Sequence, residues 1–248
     1  MTASHVLLKA STAYPSKDKL DPILLANIPI FEQMAQAAED RHGLTWADLW
    51  HRDDWSASLE TVVREYGRKA PFSQGPFTSG VYSFPFLKPE YIDDLLNEVA
   101  AMSFEVNAEE DALVQIPEIT LQDNCPRLHD CLHSLFQYAV KPLAAILYGL
   151  EPKFMQSIQF AQYTPENTAH GHWHHDNDSD ITLVVALTDH HVGGGTMVKP
   201  QGLGEAFEVP QLPVGHAMLF QGSRMLHYGL PVTEGARNLL VFWSTLRP

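Results

Sequence analysis

The sequence predicts a mainly β protein with flanking helices, in which a jelly roll or another sandwich-like barrel carries helices packed upon it. Three observations support that expectation. From Lys153 onward the chain breaks into about seven short apolar runs bounded by Gly and Pro, as strands joined by turns do. The first half instead repeats apolar residues at spacings of three and four, the signature of amphipathic helices. A chain of 248 residues, 45% of them hydrophobic, can also bury a substantial core, in one large domain or two small ones.

Helical spacing runs from Asp21 to about Arg41, where Pro29 is expected to interrupt or kink the helix. It resumes from Trp55 to about Arg68 through Leu59, Val62, Val63 and Tyr66. The stretch APFSQGPFTSG reads as a loop, separating an N-terminal helical extension (residues 1–75) from a core domain (76–248). GVYSFPFL follows as a strand. KPEYIDDLLNEVAAM is a helix with Pro89 in its first turn and Ile92, Leu95, Leu96 and Val99 on one face. Beyond an acidic connector around Glu109 to Asp111, a longer helix spans about Pro126 to Tyr148, with Pro142 placed to bend it. Its stripe of Leu128, Leu132, Leu135, Ala139, Leu143 and Ile146 is a core face. The later strands are FMQSIQFAQY, DITLVVALT, GTMVKP, EAFEVP, HAMLF, HYGLPV and NLLVFWSTL.

Composition excludes some functions. Formal net charge is -14, from 30 acidic against 16 basic residues, and no stretch gathers Lys and Arg, so nucleic acid is not an expected partner. No window approaches the ~20 apolar residues that span a bilayer, and the opening residues lack the features of a secretory leader; a cytoplasmic location is expected. The two cysteines are too few for a disulfide framework, and Cys131, on the apolar helix face, reads as a buried structural thiol.

The densest chemistry lies in HWHHDNDSD, residues 172–180. Two imidazoles and one carboxylate on one side of a metal leave the other positions open for a cosubstrate and O2. Side chains two apart on a strand point the same way. His174 with Asp176 and His172 with His174 have that spacing, and His175 could join Asp176 from an irregular loop, so spacing alone leaves all three. A distant ligand must come from His190, His191, His216 or His227. An enzyme that activates O2 with a 2-oxo acid also anchors the acid's remote carboxylate, and the Arg fork does this best. Arg237 follows His227 by ten residues, across a segment VTEGA read as a turn, and no other His/Arg pair in the tail is as well placed. His170, His172 and His175 read as a polar rim, His190 and His191 as a solvated loop before Gly193, Gly194 and Gly195, and His216 as structural or exposed. Trp173 and Trp243 read as packing residues, with Trp173 able to border a pocket.

Taken together, YTPENTAHGHWHHD, ITLVVALT, GGGTMV, LPVGHAMLF, LHYGLPVTEGAR and LLVFW resemble the catalytic core of the Fe(II)/2-oxoglutarate dioxygenases. The lysyl hydroxylase and prolyl 4-hydroxylase branch is the most similar, and GVYSFPFLKPEYIDDLLNEV extends the resemblance over roughly residues 79 to 248. The family motif of His-x-Asp, a distal His and a basic residue about ten positions later falls on His174, Asp176, His227 and Arg237. The resemblance implies a double-stranded β-helix (jelly roll) core covered by N-terminal helices. It implies Fe(II) on His174, Asp176 and His227, 2-oxoglutarate held through its remote carboxylate by Arg237 and Tyr163, and O2 as oxidant. Thr182 matches a further cosubstrate position, offset by an additional residue or so after Asp176. Related halogenases carry a small residue where Asp176 stands, so hydroxylation or a related oxidation is implied. The implied substrate is a peptidyl lysine or proline, a free amino acid or another small metabolite. A non-catalytic metal-binding jelly roll acting as a sensor or interaction module is the alternative from a different class. A zinc hydrolase on the same ligands would leave Arg237 unexplained. Nothing in the chain sets the oligomeric state.

Overall fold

The structure, a computed structural model, describes residues 12–40, 53–67, 79–106, 108, 115–167, 172–200 and 204–248. A 3-10 turn at Lys17–Lys19 leads into helix α1 (Pro22–Asp40), followed by α2 (Asp53–Val62), strands β1 (Arg64–Glu65) and β2 (Val81–Pro85), and α3 (Pro89–Val99). Strand β3 (Glu118–Thr120), the single turn α4 (Leu121–Asn124) and the long α5 (Pro126–Tyr148) complete the first half. The second half is all strand: β4 (Phe154–Tyr163), β5 (Ile181–Ala186), β6 (His191–Gly193), β7 (Thr196–Lys199), β8 (Phe207–Val209), β9 (His216–Phe220), β10 (Leu226–Gly229), β11 (Val232–Gly235) and β12 (Arg237–Thr245).

These strands form a seven-stranded antiparallel sheet in the order β1-β2-β9-β5-β12-β4-β3, a three-stranded sheet β10-β7-β8 and a two-stranded ribbon β11-β6. Period-two alternation divides the large sheet between two apolar clusters. Phe84, Leu183, Val185, Ala217, Leu219, Leu240 and Phe242 point into a core shared with the helices, which contribute Leu24, Phe31, Leu59, Leu95, Leu132 and Phe136. Their neighbours Val81, Ala186, Met218 and Phe220 point the other way, against Val198 of β7 and Val209 of β8. The small sheet therefore covers the face opposite the helices.

The helices end where local chemistry requires. Pro89 occupies the first turn of α3, where its missing N–H has no partner to lose. Gly149 closes α5 in the left-handed conformation (φ 67°), its N–H bonded to Ala145 O at 2.9 Å. Pro142 lies buried inside a continuous α5, and Phe136 of that helix stacks on Phe242 with ring centroids 5.7 Å apart. Cys131 is buried as expected, beside Lys19 Nζ and Tyr91 Oη at 3.8 Å each, and burial pushes its thiol upward.

Several expectations need correction. Pro29 does not interrupt α1, since the flanking Ile28 and Phe31 are fully buried and packing holds the helix through the lost hydrogen bond. The second helix stops at Val62 rather than near Arg68; Arg64 and Glu65 pair instead with Ser83 and Tyr82. HYGLPV is two strands in different sheets, broken at Pro231, which has no N–H to donate. VTEGA is no turn, because Val232–Gly235 is β11. His191 opens β6 rather than lying in a solvated loop. β3 and β6 had no expectation. The loop from Ala70 to Thr78, the acidic connector and His170 lie outside the described residues. No helix among the described residues is long and apolar enough to cross a membrane.

Candidate metal centre

His174 bridges to the small sheet, pairing antiparallel with His227 through two backbone hydrogen bonds with N···O distances of 3.0 Å each. His227 lies on β10, opposite Val198 of β7. Two residues beyond His174, Asp176 is fixed by its own N–H, which donates to Gly222 O at 3.1 Å. One donor atom from each of His174, Asp176 and His227 then lies within 4.8 Å of the other two, the one such cluster among the described residues. His174 Nε2 and His227 Nε2 stand 3.8 and 3.6 Å from the same carboxylate oxygen, Asp176 Oδ1. Ligand atoms about 2.1 Å from one ion sit roughly 3 to 3.5 Å apart, so these donors fit a metal with a small closure.

Supporting contacts aim each of the three side chains. His174 Nδ1–H donates to His172 O and His227 Nδ1–H to Met225 O, both at 2.9 Å, which leaves both Nε2 lone pairs directed at the centre. Burial pushes His227 below its usual range against the pull of Asp176, favouring the neutral ring a metal needs. The second carboxylate oxygen, Asp176 Oδ2, accepts the Thr182 hydroxyl at 2.7 Å, and Ser179 Oγ is 2.9 Å from the same hydroxyl. Gly222 makes room for this arrangement, since a Cβ there would fall 2.9 Å from Asp176 Oδ2 and overlap Thr182 Oγ1. The side chain of Asp176 is 5% exposed and that of His174 40%, so the centre opens on the His174 side. His175, between the two ligands, points to solvent, and Trp173 packs edge-on against Tyr228 with centroids 4.6 Å apart.

Arg237 starts β12 opposite Tyr163, the last residue of β4. It is 5% exposed, and its guanidinium carbon lies 5.5 Å from the Tyr163 ring centroid. Its Nε donates to Gln211 Oε1 at 2.8 Å and its Nη1 to Gly195 O at 3.0 Å; among the described residues no Asp or Glu pairs with it. Burial accordingly pulls its pKa down. Gly194 and Gly229 admit it, for a Cβ at Gly194 would press on Arg237 Cδ (3.0 Å) and one at Gly229 on Tyr163 (3.1 Å). The guanidinium borders a cavity walled by Val184, Ala186, Met218, Leu239, Val209 and Leu212. Val184 and Ala186 share a face of β5 with Thr182, so the metal cluster and the Arg237 cavity occupy one side of the sheet.

The sequence-derived residues thus divide in two. His174, Asp176 and His227 converge on one point, while Arg237, at the edge of the cavity, lies beside Tyr163 across the β12 and β4 pairing. Thr182 belongs with the first group, bonded to Asp176. Sequence reasoning missed Gln211, Gly222 and Ser179, which fall in turns and loops with no motif of their own.

No protein-family model matches the chain, and no curated protein matches it. Solved structures do. An oxidoreductase of the 2OG-Fe(II) oxygenase family from Burkholderia pseudomallei aligns with a TM-score of 0.53 at 16% identity, covering 68% of this chain and 86% of that one. SnoK, a non-haem α-ketoglutarate-dependent carbocyclase of nogalamycin biosynthesis, gives 0.53 at 17% over 70% of this chain and 90% of its own. A Trichoplax adhaerens prolyl hydroxylase in complex with a hypoxia inducible factor peptide fragment gives 0.53 at 15% over 68% and 84%. At these identities the likeness is one of fold: mainly β with few helices, as in the 2-oxoglutarate-Fe(II) oxygenases.

Proposed function

We propose that the protein is an Fe(II)- and 2-oxoglutarate-dependent dioxygenase that hydroxylates an unactivated C–H bond of an amino-acid-type substrate, either a peptidyl Lys or Pro or the free amino acid. The observation that carries this reading is Arg237: a buried cation without a carboxylate partner among the described residues, on the same side of the sheet as a two-His, one-Asp cluster. A buried charge is costly unless paired, and the missing anion is the remote carboxylate of the cosubstrate. Spacing supports the assignment. Along β5, Thr182 supports Asp176 and Ala186 lines the Arg237 cavity; at about 3.3 Å per residue they are about 13 Å apart, room for a five-carbon diacid and the Arg237 side chain end to end.

In this reading His174, Asp176 and His227 hold Fe(II), which when bound supplies O2 activation coupled to conversion of 2-oxoglutarate into succinate and CO2. The chain's residues do the rest. Arg237, with Tyr163 beside it, fixes the cosubstrate's far end, and the apolar walls between keep water from the reacting atoms. Thr182 holds Asp176 in its ligating orientation rather than touching cosubstrate. Ser157 and Trp243, in register across β4 and β12, carry buried polar atoms, Oγ and Nε1, with no hydrogen-bond partner among the described residues, on the face that bears Thr182. They suit a substrate with polar groups, as an amino acid has. The two facing sheets would constitute the jelly roll, with residues 76–248 the catalytic domain and 1–75 a helical extension, acting in the cytoplasm. The prolyl hydroxylase neighbour favours the lysyl and prolyl branch.

The test is succinate release by the Fe(II)-loaded protein while free amino acids and Lys- or Pro-containing peptides are presented. A true substrate raises release and is recovered with one added oxygen atom. Asp176→Ala is expected to abolish both, and full turnover in that variant would overturn the ligand assignment.

A further inference from the structure

We propose that Gln211 is a positioning residue for Arg237: it holds the guanidinium at Nε so that the Nη edge faces the cavity, and thereby sets the affinity for the remote carboxylate of a 2-oxo diacid. This rests on the cosubstrate reading above. Gln211 lies between β8 and β9, outside every motif that marks the site. Its amide can face only one way, because Nε2 donates to Thr188 O and Leu212 O, both at 3.2 Å, and Oε1 is left to accept from Arg237 Nε at 2.8 Å. Thr188 completes the clamp. Its hydroxyl donates to Ala236 O at 3.2 Å and accepts from Asn238 N–H at 2.9 Å, the backbone groups on either side of Arg237.

With Nε given to Gln211 and one Nη1 hydrogen to Gly195 O, the donors that remain lie on Nη1 and Nη2, side by side as a two-oxygen carboxylate requires. The neutrality of Gln211 matters as much as its shape. A carboxylate at this position would hold Nε equally well but would cancel the charge of Arg237 and compete with the incoming anion. The amide fixes the fork and leaves its charge for the ligand.

The test is anaerobic isothermal titration of 2-oxoglutarate, and separately of pyruvate, into the Fe(II)-loaded wild type, Gln211→Met and Gln211→Glu. Pyruvate has the 2-oxo acid group without the remote carboxylate. Both variants are expected to weaken 2-oxoglutarate binding by about tenfold or more, Gln211→Glu by the larger factor, with pyruvate and Fe(II) affinities unchanged. Unchanged 2-oxoglutarate affinity in both variants, or an equal loss for the two acids, would overturn the positioning role. Failure of the wild type to bind 2-oxoglutarate would instead overturn the cosubstrate reading on which the role depends.

Discussion

Asp176, the proposed carboxylate ligand, is oriented by residues that would not themselves touch a metal. Its Oδ1 faces two imidazoles while its Oδ2 is held by Thr182, and Gly222 leaves the space for both. Thr182→Val keeps the side-chain shape and removes the donor. It is expected to weaken metal affinity roughly 10- to 100-fold with unchanged far-ultraviolet circular dichroism, as read by competition with a metallochromic chelator. Gly222→Ala places a methyl against the carboxylate itself and should cost more in the same competition; an affinity equal to the wild type would show that the crowding is relieved elsewhere. The clustering of His174, Asp176 and His227 was legible in the sequence through the family order of His-x-Asp, a distal His and an Arg, since strand alternation alone left several candidates open. The resemblance offered Thr182 as a cosubstrate contact; in the fold its hydroxyl donates to Asp176 Oδ2, a contact set by the course of the turn at residues 177–180 and invisible in the sequence. Gln211 was illegible, since an amide in a loop becomes meaningful only once Arg237 is seen to point at it.

At the level of elements, long amphipathic helices read well and short strands poorly. α5 came out at its expected ends because its apolar stripe and Gly149 define them without reference to the rest of the fold. β1, β3, β6 and β11 span two to four residues each, and such pieces are strands only because a partner lies alongside. The first apolar layer depends on α5 meeting the large sheet. Phe136→Ala, which removes a fully buried ring stacked on Phe242, is expected to destabilise the protein by about 3–5 kcal/mol in urea unfolding. A loss below about 1 kcal/mol would mean that the helix and sheet repack without that contact.

For the molecule as a whole, half-buried histidines away from the candidate metal centre are expected to lower stability in mild acid. His133, His191 and His216 are each depressed below the ordinary value of 6.5, mainly by burial, with His129 adding to the effect at His133 and Arg237 at His191. Near pH 6.5 and below, the unfolded chain takes up protons that the folded chain refuses, so the stability these neutral rings contribute is full above 6.5 and is lost as pH falls toward their lower folded values. Thermal melts are expected to hold steady from pH 8 to 7 and to drop between about 6.5 and 5, and the triple replacement of these histidines by Gln should flatten that decline.

In the proposed function, one side of one sheet carries a metal at one end, on His174, Asp176 and His227, and a buried cation, Arg237, at the other. The measurement that tests it most directly is anaerobic titration of 2-oxoglutarate into the Fe(II)-loaded protein, following the visible metal-to-ligand charge-transfer band, with Arg237→Leu alongside. A saturable band is expected, its midpoint moving to much higher 2-oxoglutarate concentration in the variant. Bound iron with no band, or a band indifferent to Arg237, would contradict it.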